Sequence, residues 1–204
     1  MTAEEFENRW GIRLQMPSLR EGRLLVRSVP WNEEWLDRVH RVVTEIVPRG
    51  FRKAWLPTHL VVADGIYWMG ARNWGGAYPV GRQTGATRLV LLDRATFQGV
   101  LADPAGPPAA EAVLLHEMAH HADALLQDDV RSAQETAWLE LTAQDSRQLA
   151  ERNPYHRTID TLEDQAVEDW ANALALYLLE PAQLQVWSQE RYNFMEELCR
   201  SVEP

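Results

Sequence analysis

The sequence predicts an α+β fold in which a small, twisted, mostly antiparallel sheet precedes a helical C-terminal half. Three segments with the apolar, β-branched character of strands lie in the first half of the 204-residue chain, at 23–29, 58–63 and 87–92. Segments with apolar residues at helical spacing fill the second half, at about 109–126, 130–152, 162–179 and 181–200. Strands first and helices after are the element order of an α+β domain.

In the first half, one helix is predicted between the first two strands. Asn32 is placed to cap it, its apolar positions run from Trp35 to Ile46, and Pro48 ends it. The second strand closes at the turn signal Asp64-Gly65. The Gly-, Trp- and Tyr-rich stretch 65–85 then predicts a hairpin or an irregular sheet edge.

Composition predicts a single domain over residues 1–204, with a strand-rich part at 1–105 and a helical part at 106–204. The chain is 46% hydrophobic and 25% charged, as globular proteins are. A net charge of −10 disfavours nucleic acid, whose phosphates need clustered Lys and Arg. No apolar run reaches the ~20 residues that span a bilayer, and the N-terminus has no secretory signal, so we expect a cytoplasmic protein with no membrane partner. The single cysteine, Cys199, excludes a disulfide framework or a multi-cysteine zinc site.

The predicted helix at 109–126 carries the sequence His116-Glu117-Met118-Ala119-His120, which is an HExxH motif. Residues four apart lie on one face of a helix, so His116 and His120 can direct their imidazoles at one ion. Glu117 then lies near that ion without being a ligand, as a general base requires. The alternative is that the two histidines are hydrogen-bonded core residues, and a third ligand decides between them.

A third metal ligand is sought downstream, because a catalytic zinc takes three protein ligands and keeps one open position. A metzincin would have a histidine six positions after His120, and Leu126 stands there. Glu168 shares a helix face with small residues, and an unpaired inward carboxylate is costly unless a cation compensates it. Asn172, one turn on, can orient a ligand histidine. Asp169 is the rival ligand.

With HExxH and a glutamate on a later helix, the chain resembles the gluzincins, a group of zinc metallopeptidases. Glu168 and Asn172 are similar to the E-x-x-x-D/N/E arrangement of that group. The segment from Glu168 to Ala175 is similar to both anthrax lethal factor-like catalytic domains and the ImmA/IrrE family, and the 48 residues from His120 to Glu168 are more like the former. The resemblance covers about residues 87–179. It implies a zincin-like metallopeptidase domain that binds Zn2+.

The resemblance also implies an oxyanion donor. In the lethal factor branch, a tyrosine in a Tyr-x-Arg-Thr stretch is thought to stabilise the oxyanion, and Tyr155-His156-Arg157-Thr158 resembles that stretch. Tyr155 is therefore the predicted donor, although it lies 13 residues before Glu168, with extra residues between them. His156 and His121 are the second-choice candidates for this donor.

The predicted function is an endopeptidase that hydrolyses a protein or peptide substrate with metal-activated water and Glu117 as general base. The first alternative is an ImmA/IrrE-like regulatory protease that cleaves one specific repressor. The second is a non-catalytic zinc-binding interaction module, which would have no use for Glu117. A toxin-like effector is the third, and only the lethal factor resemblance supports it.

Overall fold

The computed structural model describes residues 1–14, 20–21, 24–51, 56–68, 71–73, 76–77, 89–99, 109–123, 136–144 and 162–201. The helices in these residues are α1 (Ala3–Trp10), α2 (Glu33–Arg41), α3 (Ala110–Asp123), α4 (136–144), α5 (Leu162–Leu179), α6 (Pro181–Trp187) and α7 (Gln189–Ser201). The strands are β1 (Arg20–Glu21), β2 (Leu24–Ser28), β3 (His59–Trp68), β4 (Ala71–Asn73), β5 (Gly76–Ala77) and β6 (Leu89–Asp93). The fold is therefore mixed, with the described elements after β6 all helical.

The strands form one sheet in the order β1-β2-β3-β6-β5, and β4 also pairs with β3. The sheet is mostly antiparallel, as predicted, in the pairings β1–β2, β2–β3, β3–β4 and β5–β6. The prediction does not hold at the centre of the sheet, where residues 59–63 of β3 run parallel to residues 89–93 of β6, and the isolated bridge between Arg13 and His59 is parallel too. The long connection from β3 to β6 explains the difference, because only a crossover can return the chain in the same direction.

The turn predicted at Asp64-Gly65 is also wrong, since both residues lie inside β3. Val26 of β2 pairs with Ile66, but Ser28 pairs with Ala63, so β3 has one residue more than β2 between these pairs. This irregularity is a β-bulge, which glycine in a strand often marks. Strand β3 then continues to Trp68 and folds back on β4, which supplies the expected hairpin in the described part of 65–85.

Strand β6 is buried over its whole length. It pairs with β3 on one side and, at Leu91 and Leu92, with β5 on the other. Its side chains join a core built by the sheet and the helices, whose buried members include Phe6, Leu36, Leu60, Val90, Leu114, Met118, Leu174 and Leu198. Among the described helices, none is both long and apolar enough to cross a bilayer.

Local capping accounts for the helix boundaries that the sequence predicted and for those it missed. Asn32 caps α2 by accepting from the Trp35 N–H at 2.9 Å, as predicted, and a π-helical turn continues α2 to Ile46. Helix α1 was not predicted, although Thr2 and Glu5 form a reciprocal capping box. The single helix predicted at 181–200 is two helices, because Ser188 is extended and its hydroxyl caps α7 through the Arg191 N–H.

An ion pair anchors the first turn of α3 to α2. Arg38 Nε donates to Glu111 Oε1 at 2.6 Å, and Nη2 donates to Oε2 of the same carboxylate. Arg38 Nη1 also donates to the Phe97 carbonyl at 2.6 Å, in the 3-10 turn that follows β6. Burial alone would raise the pKa of Glu111, but the Arg38 guanidinium outweighs it, and the pKa lies below its ordinary value of 4.5. The Arg38 guanidinium thus links α2, the start of α3 and the 3-10 turn after β6.

We predict that Glu111→Gln lowers the free energy of unfolding at pH 7 by about 2 kcal/mol, because the variant loses a charge-assisted bidentate pair. A carboxyl with a folded-state pKa below its unfolded value stabilises the fold above the unfolded value, and that contribution disappears as pH falls through the folded pKa. Urea unfolding should therefore show the deficit of the variant at pH 7 and little of it at pH 3.

The matched control is Asp64→Asn, which breaks the exposed pair between Asp64 and Arg94 (2.8 Å). Exposed pairs contribute about 0–1 kcal/mol, so this variant should be almost as stable as the wild type at both pH values. An equal loss for both variants, or a deficit of Glu111→Gln that does not change with pH, would contradict the anchoring role of the Arg38 pair.

Candidate metal centre

Helix α3 carries the HExxH motif in the interior of the fold. It lies against β5 and β6 on the sheet and against α5 among the helices. Leu114, Leu115, Met118 and Ala119 are almost fully buried and fix its orientation. His116 and His120, one turn apart, are left on the side where α5 passes. The predicted helix at 109–126 is thus confirmed over its described residues, 110–123.

Three side chains from α3 and α5 converge at one point. His116 Nε2 lies 3.2 Å from His120 Nε2, and Glu168 Oε2 lies 3.2 Å from His116 Nε2. His120 Nε2 lies 3.6 Å from Oε1, the other oxygen of the Glu168 carboxylate. With one ligand atom taken from each residue, the three atoms form a triangle and lie within 4.8 Å of one another. A tetrahedral zinc with ligands at about 2.0–2.1 Å requires ligand atoms about 3.3–3.4 Å apart. The group is therefore able to hold a metal ion after small side-chain adjustments.

Helix α5 supplies a partner for one of the histidines. Asn172, one turn beyond Glu168, places its amide oxygen 3.0 Å from His116 Nδ1. A proton on Nδ1 donates to this oxygen, which leaves the Nε2 lone pair directed at the triangle. Ala171 is fully buried and Ala175 nearly so, and side chains this small allow α5 to approach α3 closely. The expected orienting role of Asn172 agrees with this placement.

Glu168 remains 38% exposed, so the group opens to solvent on its side. The sequence predicted an inward, buried carboxylate at this position, and the structure corrects that to a carboxylate at the rim. Its position still suits a metal ligand, because a catalytic site needs an open coordination position that substrate can reach. The two histidines are more enclosed, at 18% and 14% exposure for His116 and His120.

Glu117 is not part of the triangle. It follows His116 in the chain, and its side chain is buried, at 5% exposure. Burial, opposed by His116 and assisted by Glu168, raises the pKa of its carboxyl to about 7. A carboxylate with a pKa near neutrality accepts and returns a proton readily at neutral pH. The burial of Glu117 therefore suits a proton-transferring role.

The two histidines differ in their protonation. Burial and, to a smaller extent, the neighbouring His116 lower the pKa of His120 to about 4. Burial acts in the same direction on His116, but the contact with Glu168 and the charge of Glu117 outweigh it, and its pKa lies above the ordinary 6.5. Metal ions bind the neutral imidazole, so protonation of His116 competes with a cation at the triangle up to a higher pH than protonation of His120 does.

Asp169, the rival ligand, lies away from the triangle. Its side chain is fully buried and binds Arg191, whose Nε donates to Asp169 Oδ2 at 2.9 Å. Of the two acidic residues, only Glu168 is grouped with the histidines. Sequence reasoning missed this ion pair, because Arg191 follows Gln189 and Glu190 in a polar stretch that gives no sign of burial.

The side chains predicted to donate to the oxyanion lie outside the described part of the structure. Tyr155 and His156 lie outside the described residues, and His121 belongs to α3 but its side chain lies outside the described part. Among the described residues, His116, His120 and Glu168 form the group able to hold a cation. Comparisons of the chain with protein-family models, curated proteins and solved structures found no match, so the site is interpreted from its own geometry.

Proposed function

We propose that this protein is a zinc-dependent metallopeptidase with a zincin-like, gluzincin-type domain that hydrolyses peptide bonds of a protein substrate. The observation that carries the proposal is the grouping of His116, His120 and Glu168, whose side chains approach one another at 3.2–3.6 Å and offer one ligand atom each within 4.8 Å, as a zinc site requires. The resemblance of the sequence to gluzincins supports the same ligand set.

The donor set favours a catalytic over a structural site. Two imidazoles and one carboxylate are the ligands of several zinc peptidases, whereas structural zinc sites are closed by four side chains, usually with cysteine. Within the described residues, the group has three members. A buried glutamate beside it, Glu117, has no purpose in a closed structural site. These features argue against a non-catalytic interaction module.

Each residue of the site has a distinct role in the proposed reaction. Zinc, when bound, supplies a Lewis acid that polarises the scissile carbonyl and activates water. Glu117 takes a proton from the attacking water and passes it to the leaving amine, for which a pKa of about 7 is suitable. Asn172 keeps the His116 Nε2 lone pair turned toward the triangle. Tyr155 remains the predicted oxyanion donor.

A peptide substrate requires a backbone to pair with near the triangle. Since β6 is paired on both sides, we assign this role to β5, the last strand of the sheet order in the described part of the chain. Strand β5 contacts α3, so an extended peptide added beside it would pass along the helix that carries the motif.

We predict that Glu117→Gln abolishes most of the activity but leaves metal binding intact. General acid–base catalysis contributes about 10²–10⁴-fold, so hydrolysis of an unfolded protein such as casein, or of a peptide library read by mass spectrometry, should fall by that factor. The variant should bind about one zinc per chain, as the triangle is unchanged. Glu197→Gln, at an exposed position on α7, is the matched control and should retain full activity.

Each other outcome contradicts part of the proposal. A wild-type protein that binds no zinc refutes the metal site. Stoichiometric zinc with equal activity in the wild type and Glu117→Gln refutes the mechanism. Zinc binding without cleavage of any peptide in the library refutes a general peptidase, and would direct attention to one specific protein target or to an interaction module.

We predict that Asn172→Ala weakens zinc binding about 10–100-fold, the usual cost of removing a partner that orients a ligand histidine. Competition with a chromogenic chelator measures the affinity. Asn172→Asp keeps an acceptor at the same position and should bind zinc nearly as well as the wild type. Asn193→Ala, at an exposed position on α7, controls for loss of an asparagine. Equal affinities for Asn172→Ala and the wild type would exclude the orienting role.

A further inference from the structure

A fully buried ion pair joins α5 to α7 at Asp169, the residue that follows Glu168 of the candidate metal centre. Arg191 Nε donates to both oxygens of Asp169, at 2.9 Å and 3.2 Å. Both side chains have 0% exposure. Asp169 follows Glu168 in the sequence, so consecutive residues of α5 direct one carboxylate to the histidines and the other to Arg191.

The surroundings of the ion pair hold it in one arrangement. Thr142 of α4 places its hydroxyl 3.3 Å from Asp169 Oδ2, so a second helix also bonds this carboxylate. The guanidinium of Arg191 lies over the rings of Trp138 and Trp187, at 5.7 Å and 5.9 Å from their centroids. Two helices, α4 and α7, therefore bond one carboxylate of α5, and the end of α6 packs on the guanidinium that holds it.

Stability alone is a poor reason for such a pair. The loss of hydration on burying two charges offsets most of their attraction, and an apolar pair of similar volume often stabilises a core as well or better. What an apolar contact does not provide is direction, because it permits helices to rotate and slide against each other. The charge-assisted bonds between Arg191 and Asp169 have defined geometry and fix the rotation of α5.

Rotation of α5 matters because the metal site tolerates little displacement. A side-chain group about 5–6 Å from a helix axis moves by about 1 Å when the helix rotates by about 10°. Metal–ligand distances have to be held within about 0.2 Å. Asp169 lies about 100° round the helix axis from Glu168. A bond that fixes the position of Asp169 therefore also fixes the direction in which Glu168 leaves the helix.

We infer that Arg191 and Asp169 are positioning residues for Glu168: their buried ion pair fixes the rotation of α5 that brings the Glu168 carboxylate to the two histidines. This inference rests on the zinc site of the proposed function. Asp169, the rival ligand of the sequence, thus acts on the metal centre through its neighbour and not as a ligand.

The test replaces the ion pair with an apolar pair, Asp169→Leu with Arg191→Met, in the full chain. We expect a folded protein, by far-UV circular dichroism, whose zinc affinity in chelator competition is at least about 10-fold weaker than that of the wild type. Cobalt(II) serves as a second probe, since its visible spectrum reports coordination geometry. The intense absorption of a four-coordinate site should weaken in the double variant.

Two further variants separate positioning from loss of stability. Met195→Ala, one turn along α7, leaves a cavity in the core but keeps the ion pair, so its zinc affinity should stay within about threefold of the wild type. Arg191→Lys keeps the charge but not the planar fork, and should weaken zinc binding more than Met195→Ala does. It is the decisive variant where the double variant does not fold.

The outcomes distinguish this inference from the proposed function. No zinc binding by the wild type overturns the metal site and the inference together. Zinc binding by the wild type, with wild-type affinity and cobalt spectrum in the folded double variant or in Arg191→Lys, overturns the inference alone. A loss of affinity in Met195→Ala equal to that in the ion-pair variants also overturns it, because the effect would then follow stability.

Discussion

The close packing of α5 against α3 is the constraint on which the candidate site depends. The residues that meet there are 48 or more positions apart in the chain, and only this contact brings them together. Buried alanines on both helices, Ala119 on α3 and Ala171 on α5, keep the helices free of bulky side chains. The 3.0 Å contact between His116 Nδ1 and Asn172 Oδ1 is a direct measure of this proximity.

Electrostatic conflict is concentrated at this helix contact. Two imidazoles and two carboxylates lie close together here, and Glu168 is the most exposed of the four. Burial raises the pKa of Glu117 to about 7 and lowers that of His120 to about 4, so both displacements favour the uncharged form. Such displaced values are typical of functional sites, because a core selected for stability alone would avoid them. A bound cation would relieve much of this conflict.

The sequence predicted the elements that depend on local signals. Helix α5 begins and ends at the predicted residues, 162 and 179, because its apolar spacing is regular. Asn32 caps α2 as predicted, since a cap requires only neighbouring backbone groups. The structure also brings the motif histidines and Glu168 together, because helical spacing constrains the first two and the packing of α5 on α3 places the third; their role as metal ligands stays a prediction.

Other features depend on tertiary structure, which local patterns do not encode. The parallel pairing of β3 with β6 follows from the path of the chain between them. The burial of Arg191 follows from an acidic partner 22 positions earlier in the chain and from two tryptophans, not from its polar neighbours. Glu168 lies at a rim rather than in the interior because α5 passes the histidines near the surface.

The candidate metal site is built from two helices that are distant in the sequence, which has a consequence for the synthesis of the protein. During translation, α3 leaves the ribosome well before α5, so a nascent chain displays the HExxH motif without its third ligand. Two histidines alone hold zinc weakly, and the complete triangle arises only after α5 docks on α3. For the proposed zinc peptidase, zinc loading would thereby be tied to the completion of tertiary structure, and a partly folded chain would lack the site proposed to attack other proteins.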